Sequence, residues 1–152
     1  MNKIIINTKM NKFILLDEII LLTHENITGK VTFNDTIPFA PFIMIETLAQ
    51  LGAIHIRYLT SFEKHAFLLK IKKSSKLPKS FLKGTFIIKG RLTGQSKKAF
   101  SYGMQVEKND LSYFTGNYLF ALIEYDTNFK RSNLKKHYQK VFSCLTKNLK
   151  IN

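Results

Sequence analysis

At 152 residues, 45% of them hydrophobic, the chain is sized for one domain, which buries about 70% of its unfolded surface without a covalent staple. Cys144 is the only cysteine, which excludes an intrachain disulfide and a thiolate zinc site, and no metal or cofactor is expected. A net charge of +14 calls for an acidic partner (nucleic acid, anionic lipid or a small acidic protein), unless the lysines merely solvate loops and edge strands.

The opening "MNKIIINTKMNKF" holds a three-residue apolar run, too short for the core of a signal peptide. No segment reaches the roughly 18 uninterrupted apolar residues of a spanning helix, so a cytoplasmic protein is expected. "FILLDEIILL", from Phe13 to Leu22, is a strand or a short helix, because a continuous apolar run has no diagnostic period. "NITGKVTFN" alternates Ile27, Val31 and Phe33 with polar residues and reads as a strand with a bend at Gly29.

A helix is predicted over about 41–60. Pro41 suits its first turn, and Leu48, Leu51, Ile54 (or His55) and Tyr58 follow at helical spacing. With Ile43, Ile45, Ala49, Gly52 and Ala53 it is apolar nearly all round, so it is buried, and its small residues admit close approach by other backbone. One carboxylate, Glu46, stands near its start.

Four further strands are predicted in His65 to Lys73, Gly84 to Gly94, Lys98 to Lys108 and Leu111 to Asp126, with "GQSKK" and "KND" as hairpin connections. One all-round apolar helix beside that many strands must be wrapped by them. The fold class is therefore α+β, the hotdog arrangement of an antiparallel sheet around one central helix. Between Glu63 and Glu107 there is no acidic residue. The tail from Asn128 to Asn152 has no acid either and places Leu134, Tyr138, Val141, Phe142, Leu145 and Leu149 at helical spacing. It reads as a basic amphipathic extension (127–152) to a domain over 1–126, packing on that domain or a partner, or lying on an anionic membrane surface.

Several stretches resemble the β-hydroxyacyl-acyl-carrier-protein dehydratases. "KFILLDEII" is similar to their opening strand, "KVTFND" to the strand before their catalytic loop, and "IMIETLAQLGAI" to their central helix, where an acid precedes small residues and Ala-Gln. The resemblance spans about Phe13 to Tyr125. It implies lyase chemistry on a 3-hydroxyacyl thioester in fatty-acid or polyketide-type synthesis: a histidine removes the α-proton, and the helix acid of the other subunit protonates the departing hydroxyl. Glu46 matches that acid, and burial in an apolar helix would raise a carboxyl pKa as a general acid requires. Phe42 and Ile43 match the helix-start N–H donors that polarise the thioester carbonyl. Lys70, Lys72, Lys73, Lys76, Lys79 and Lys83 form the expected dock for an acidic acyl carrier protein.

The histidine is absent. "VTFNDTIPFAPFIMIE" passes from strand to helix without one, and the matching position falls on Thr32 or Phe33. His24, His55, His65 and His137 are the only histidines; His55 lies about 13–14 Å along the helix from Glu46. The departure resembles the histidine-less dehydratase-like subunits of aryl-polyene and related pathways. It implies a dimer, homotypic or with a histidine-bearing hotdog subunit, in which this chain supplies Glu46 and part of an acyl tunnel. Alternatives are a hotdog thioesterase using Glu46 to activate water, a purely structural carboxylate held by the helix dipole or a lysine, and a non-catalytic basic module. The last would bind single-stranded nucleic acid through Phe81, Phe86, Phe100, Tyr102 and Tyr113.

Overall fold

The apolar run before Thr23 is a strand, β1 (Leu16–Leu22). Its pairing with β2 (Asn26–Phe33) slips twice, between Leu16 and Glu18 and between Ile19 and Leu21. The first slip lets residues three apart, Leu16 and Ile19, face the core together, which is why the run shows no period of two. The computed structural model describes residues 14–34, 41–79, 82–128 and 130–149. Phe13, Pro38 and Phe81 lie outside them, as do Asp35 to Ala40 of the turn before the helix.

β2 alternates strictly, with Ile27, Gly29, Val31 and Phe33 inward, and stays in unbroken register against β4 (Gly84–Gln95). The bend expected at Gly29 is therefore in its neighbour. Gly29 instead makes room: a Cβ there would lie 3.3 Å from Leu51 Cδ1 and 3.0 Å from the Glu18 carbonyl oxygen.

α1 (Pro41–Leu59) is the central helix, with Met44, Leu48, Leu51 and Ile56 fully buried. The sheet around it is completed by β3 (His65–Lys72), β5 (Ala99–Lys108) and β6 (Leu111–Ile123) in the antiparallel order β1-β2-β4-β5-β6-β3. β5 and β6 join through Asn109 and Asp110, both at positive φ (51° and 61°), the signature of a two-residue hairpin turn matched to strand twist. The expected α+β architecture is present. At Gly52 the close neighbour is not backbone, as expected, but the Phe120 ring and the Met104 methyl: a Cβ would sit 2.5 Å from Phe120 Cζ.

The aromatics offered for base stacking turn inward. Phe86, Phe100 and Tyr102 are buried, and Tyr113 packs edge-on against Phe86 at 5.3 Å. Rings spent on the core leave no stacking platform for nucleic acid among the described residues.

The tail forms α2 (Arg131–Leu145), folded back on the domain. Val141 and Leu145 are buried, and Phe142 stacks on Tyr58 at 5.2 Å. Glu63 accepts from Arg131 through two bonds of 2.9 and 2.8 Å and from Lys135. Of the two outcomes expected for this helix, packing on the domain is the one observed, and the apolar face a membrane would need is already covered. No described helix is long and apolar enough to cross a membrane.

Candidate active site

Glu46 lies in the second turn of α1, part-buried, on the wall of a cavity of about 500 Å³. The cavity is bounded by α1, β3, β6 and α2, with Ala49, Ala53, Ala66, Phe67 and Phe120 among its apolar walls. The carboxylate thus opens onto a space instead of being engulfed by the core.

Its orientation is set by Gln50, one turn on. The Leu15 backbone N–H can only donate, and it does so to Gln50 Oε1 at 3.0 Å. That turns the Gln50 amide nitrogen toward Glu46, where Nε2 donates to Oε1 at 3.2 Å. The chain segment before β1 therefore braces the acid through one side chain. On the opposite side Tyr118, buried on β6, donates from its hydroxyl to the Ile45 carbonyl at 3.2 Å. Burial, and secondarily the charge of Glu46, push the Tyr118 phenol well above its ordinary range, so it stays protonated. Sequence reasoning missed Tyr118, although the inward alternation of β6 marks it as facing the helix.

Phe42 and Ile43 occupy the first turn. Phe42 is 69% exposed and Ile43 is part-buried, its carbonyl accepting from the Thr47 hydroxyl at 2.7 Å. First-turn N–H groups have no intrahelical acceptor, and the positive end of the dipole lies there. The N–H groups of Phe42 and Ile43 stand one turn before Glu46.

None of the four histidines stands beside Glu46. His55 is buried, donating from Nε2 to the Thr23 carbonyl at 2.8 Å and accepting at Nδ1 from Tyr102 at 2.9 Å. Both nitrogens are used by the neutral ring, and burial holds its pKa below the ordinary value. His65 lies under α2 against Tyr125 and Tyr138. His24 is in the exposed β1–β2 turn. His137 lines the same cavity as Glu46, but at the Arg57 end, whose charge acts on it. Arg57 is about 16 Å along the helix axis from Glu46. Among the described residues no group of three or more His, Cys, Asp or Glu side chains could hold a metal ion.

Lys70, Lys72, Lys73, Lys76, Lys79 and Lys83 are all exposed, running from β3 through the crossover to the start of β4. None of them lines the cavity of Glu46.

No family model matches the chain, and no curated protein matches it in sequence. Solved structures do match. The dehydratase heterocomplex ApeI:P from Xenorhabdus doucetiae superposes with a TM-score of 0.62 at 17% identity, over 76% of this chain and 85% of that one. A thioesterase from Haemophilus influenzae gives 0.57 at 10% identity, over 70% and 78%. A hypothetical thioesterase from Streptococcus pneumoniae, solved with coenzyme A, gives 0.54 at 12%, over 70% and 85%. These neighbours are hotdog proteins, and the chain has the hotdog fold.

Proposed function

We propose that this protein is the acid-bearing half of a 3-hydroxyacyl-acyl-carrier-protein dehydratase, acting in acyl chain synthesis as a dimer with a histidine-bearing hotdog subunit. The observation that carries this reading is the placement of Glu46: it opens onto a largely apolar cavity, is braced by Gln50, and has no histidine of the chain beside it, His137 lying at the far, Arg57 end of the same cavity.

In the proposed reaction the partner's histidine removes the α-proton while Glu46 donates its proton to the departing 3-hydroxyl. The carbon–oxygen bond breaks, an enoyl thioester forms, and water leaves. First-turn N–H groups at Phe42 and Ile43 hold the thioester oxygen as charge develops on it. The apolar cavity takes the acyl chain and excludes water. The carrier docks on the stretch from Lys70 to Lys83 by charge complementarity.

Support for the dimer comes from β3. Among the described residues it is an edge strand, yet it exposes Phe67 (38%) and Leu69 (63%), and an apolar edge invites another strand. Because Phe67 and Leu68 also line the cavity of Glu46, a strand added to β3 stands next to the site. Leu69→Arg is expected to abolish co-purification with the histidine-bearing subunit while leaving this chain folded; unaltered co-purification would rule out the β3 edge as the interface.

A thioesterase reading shares the fold and the same acid. It requires only a water at Glu46 and no second residue, and the products separate it from dehydration.

A further inference from the structure

The cavity beside Glu46 has a second charged end. It follows the small-residue face of α1, past Ala49 and Ala53, to Arg57, about 16 Å from Glu46 at the helical rise. Between the two ends the walls are apolar, with Ile54, Leu68 and Val141 among them. Its volume of about 500 Å³ is in the range of small-molecule sites.

At the far end the Arg57 guanidinium carbon lies 3.8 Å from the centroid of the Tyr138 ring, and Nε is buried without a hydrogen-bond partner. Among the described residues no carboxylate pairs with Arg57; Glu63 is taken by Arg131 and Lys135. Burial lowers the Arg57 pKa, with Tyr138 and Tyr125 opposing, and an arginine side chain remains a cation in a protein. His137, on the same wall, is held below its ordinary value by burial, by Arg57 and by Lys140. It is neutral at pH 7 and its ring N–H can donate without adding charge.

A part-buried cation whose Nε is buried without an acceptor is costly, and π-stacking on Tyr138 answers only one face of it. An anion delivered through the apolar channel would answer the charge of Arg57 where the side chain lines the cavity, and the planar fork of arginine suits a carboxylate. We propose that the cavity binds an extended acyl chain whose far end carries a carboxylate, gripped by Arg57 with His137 donating beside it. This deepens the dehydratase reading by naming its substrate class, and it rests on Glu46 marking the thioester end.

The test is calorimetric titration of the full chain with two probes of equal length, the monomethyl ester of decanedioic acid and the corresponding neutral carboxamide. The wild-type protein should bind the carboxylate about tenfold tighter or more, the worth of a charge-assisted hydrogen bond. Arg57→Met should erase that preference, and Arg57→Lys, which keeps a cation, should retain part of it. Equal binding of the two probes by the wild type, or a preference that survives Arg57→Met, would overturn the proposal and leave Arg57 a strut for α2. Should Arg57→Met fail to fold, the wild-type comparison and Arg57→Lys still decide. A complex that dehydrates its substrate but shows no end-group preference removes this inference alone. An end-group preference without dehydration upholds the site and removes the catalytic reading.

Discussion

The Tyr102 hydroxyl donates to Nδ1 of His55 at 2.9 Å in the middle of the core, and Nε2 of the same ring donates to the Thr23 carbonyl. The bond ties α1 to β5 and fixes one neutral tautomer. His55→Leu strands the phenol and should cost about 1–3 kcal/mol; Tyr102→Phe strands Nδ1 at a similar cost. The double variant should lose clearly less than the sum in urea unfolding. Additive losses would mean that the bond contributes nothing.

The same ring makes stability depend on pH. Its native pKa lies below the ordinary 6.5, so the unfolded chain binds more protons as pH falls, and stability must fall with it. The contribution is complete above about pH 6.5 and is lost progressively below. His65 and His137 are shifted the same way. Replacing His55 should flatten the profile between pH 7 and 5, which chemical denaturation at several pH values reads directly.

Gly52 is pressed against Phe120 Cζ, where a Cβ would stand 2.5 Å away. Alanine favours helix by about 1 kcal/mol over glycine, yet overpacking a core costs about 1–3 kcal/mol. Gly52→Ala is therefore expected to lower the melting temperature, and a rise would show that the Phe120 ring moves freely aside.

How far the sequence revealed all this depends on the range of the interaction. Pro41 and the spacing of Leu48, Leu51 and Ile54 are local signals, and α1 begins and ends close to where they placed it. Glu46 stood out as the lone carboxylate of an apolar helix. The run before Thr23 stayed ambiguous because register slips, which are pairing events, hide its period. Arg57, Tyr138 and His137 meet only because α2 folds back across the domain, and no local pattern reports that. Phe86, Phe100 and Tyr102 turn inward, which the sequence did not reveal for a related reason: alternation in a strand shows two faces but not which one is the core.

Glu63 is held near a pKa of about 2, first by its hydrogen bonds to Arg131 and Lys135 and, less strongly, by their charges, against an opposing desolvation cost. A depressed carboxylate stabilises above its unfolded value of 4.5 and loses that contribution as pH falls toward about 2. Glu63→Gln should loosen α2 first, visible as faster amide exchange along Arg131–Leu145 at neutral pH. Removing residues 128–152 should do more, since Val141 and Leu145 each contribute about 2 kcal/mol by burial. Unchanged stability after that truncation would contradict the packing described.

Reversing Lys76 and Lys79 to glutamate should weaken binding of an acidic carrier protein about tenfold or more at low salt, with a smaller difference at high salt as the charges are screened. Both residues are exposed, so the fold should tolerate the change. Carrier affinity that stays the same would remove this stretch as the dock.

The most direct measurement is intact mass spectrometry of a 3-hydroxyacyl carrier protein incubated with this protein alone, with a histidine-bearing hotdog subunit alone, and with both, each with Glu46→Gln in parallel. The account predicts loss of one water only in the mixture, and no loss when Glu46→Gln replaces the wild type. Release of the whole acyl group would identify a thioesterase, and dehydration that persists with Glu46→Gln would contradict the role assigned to this carboxylate.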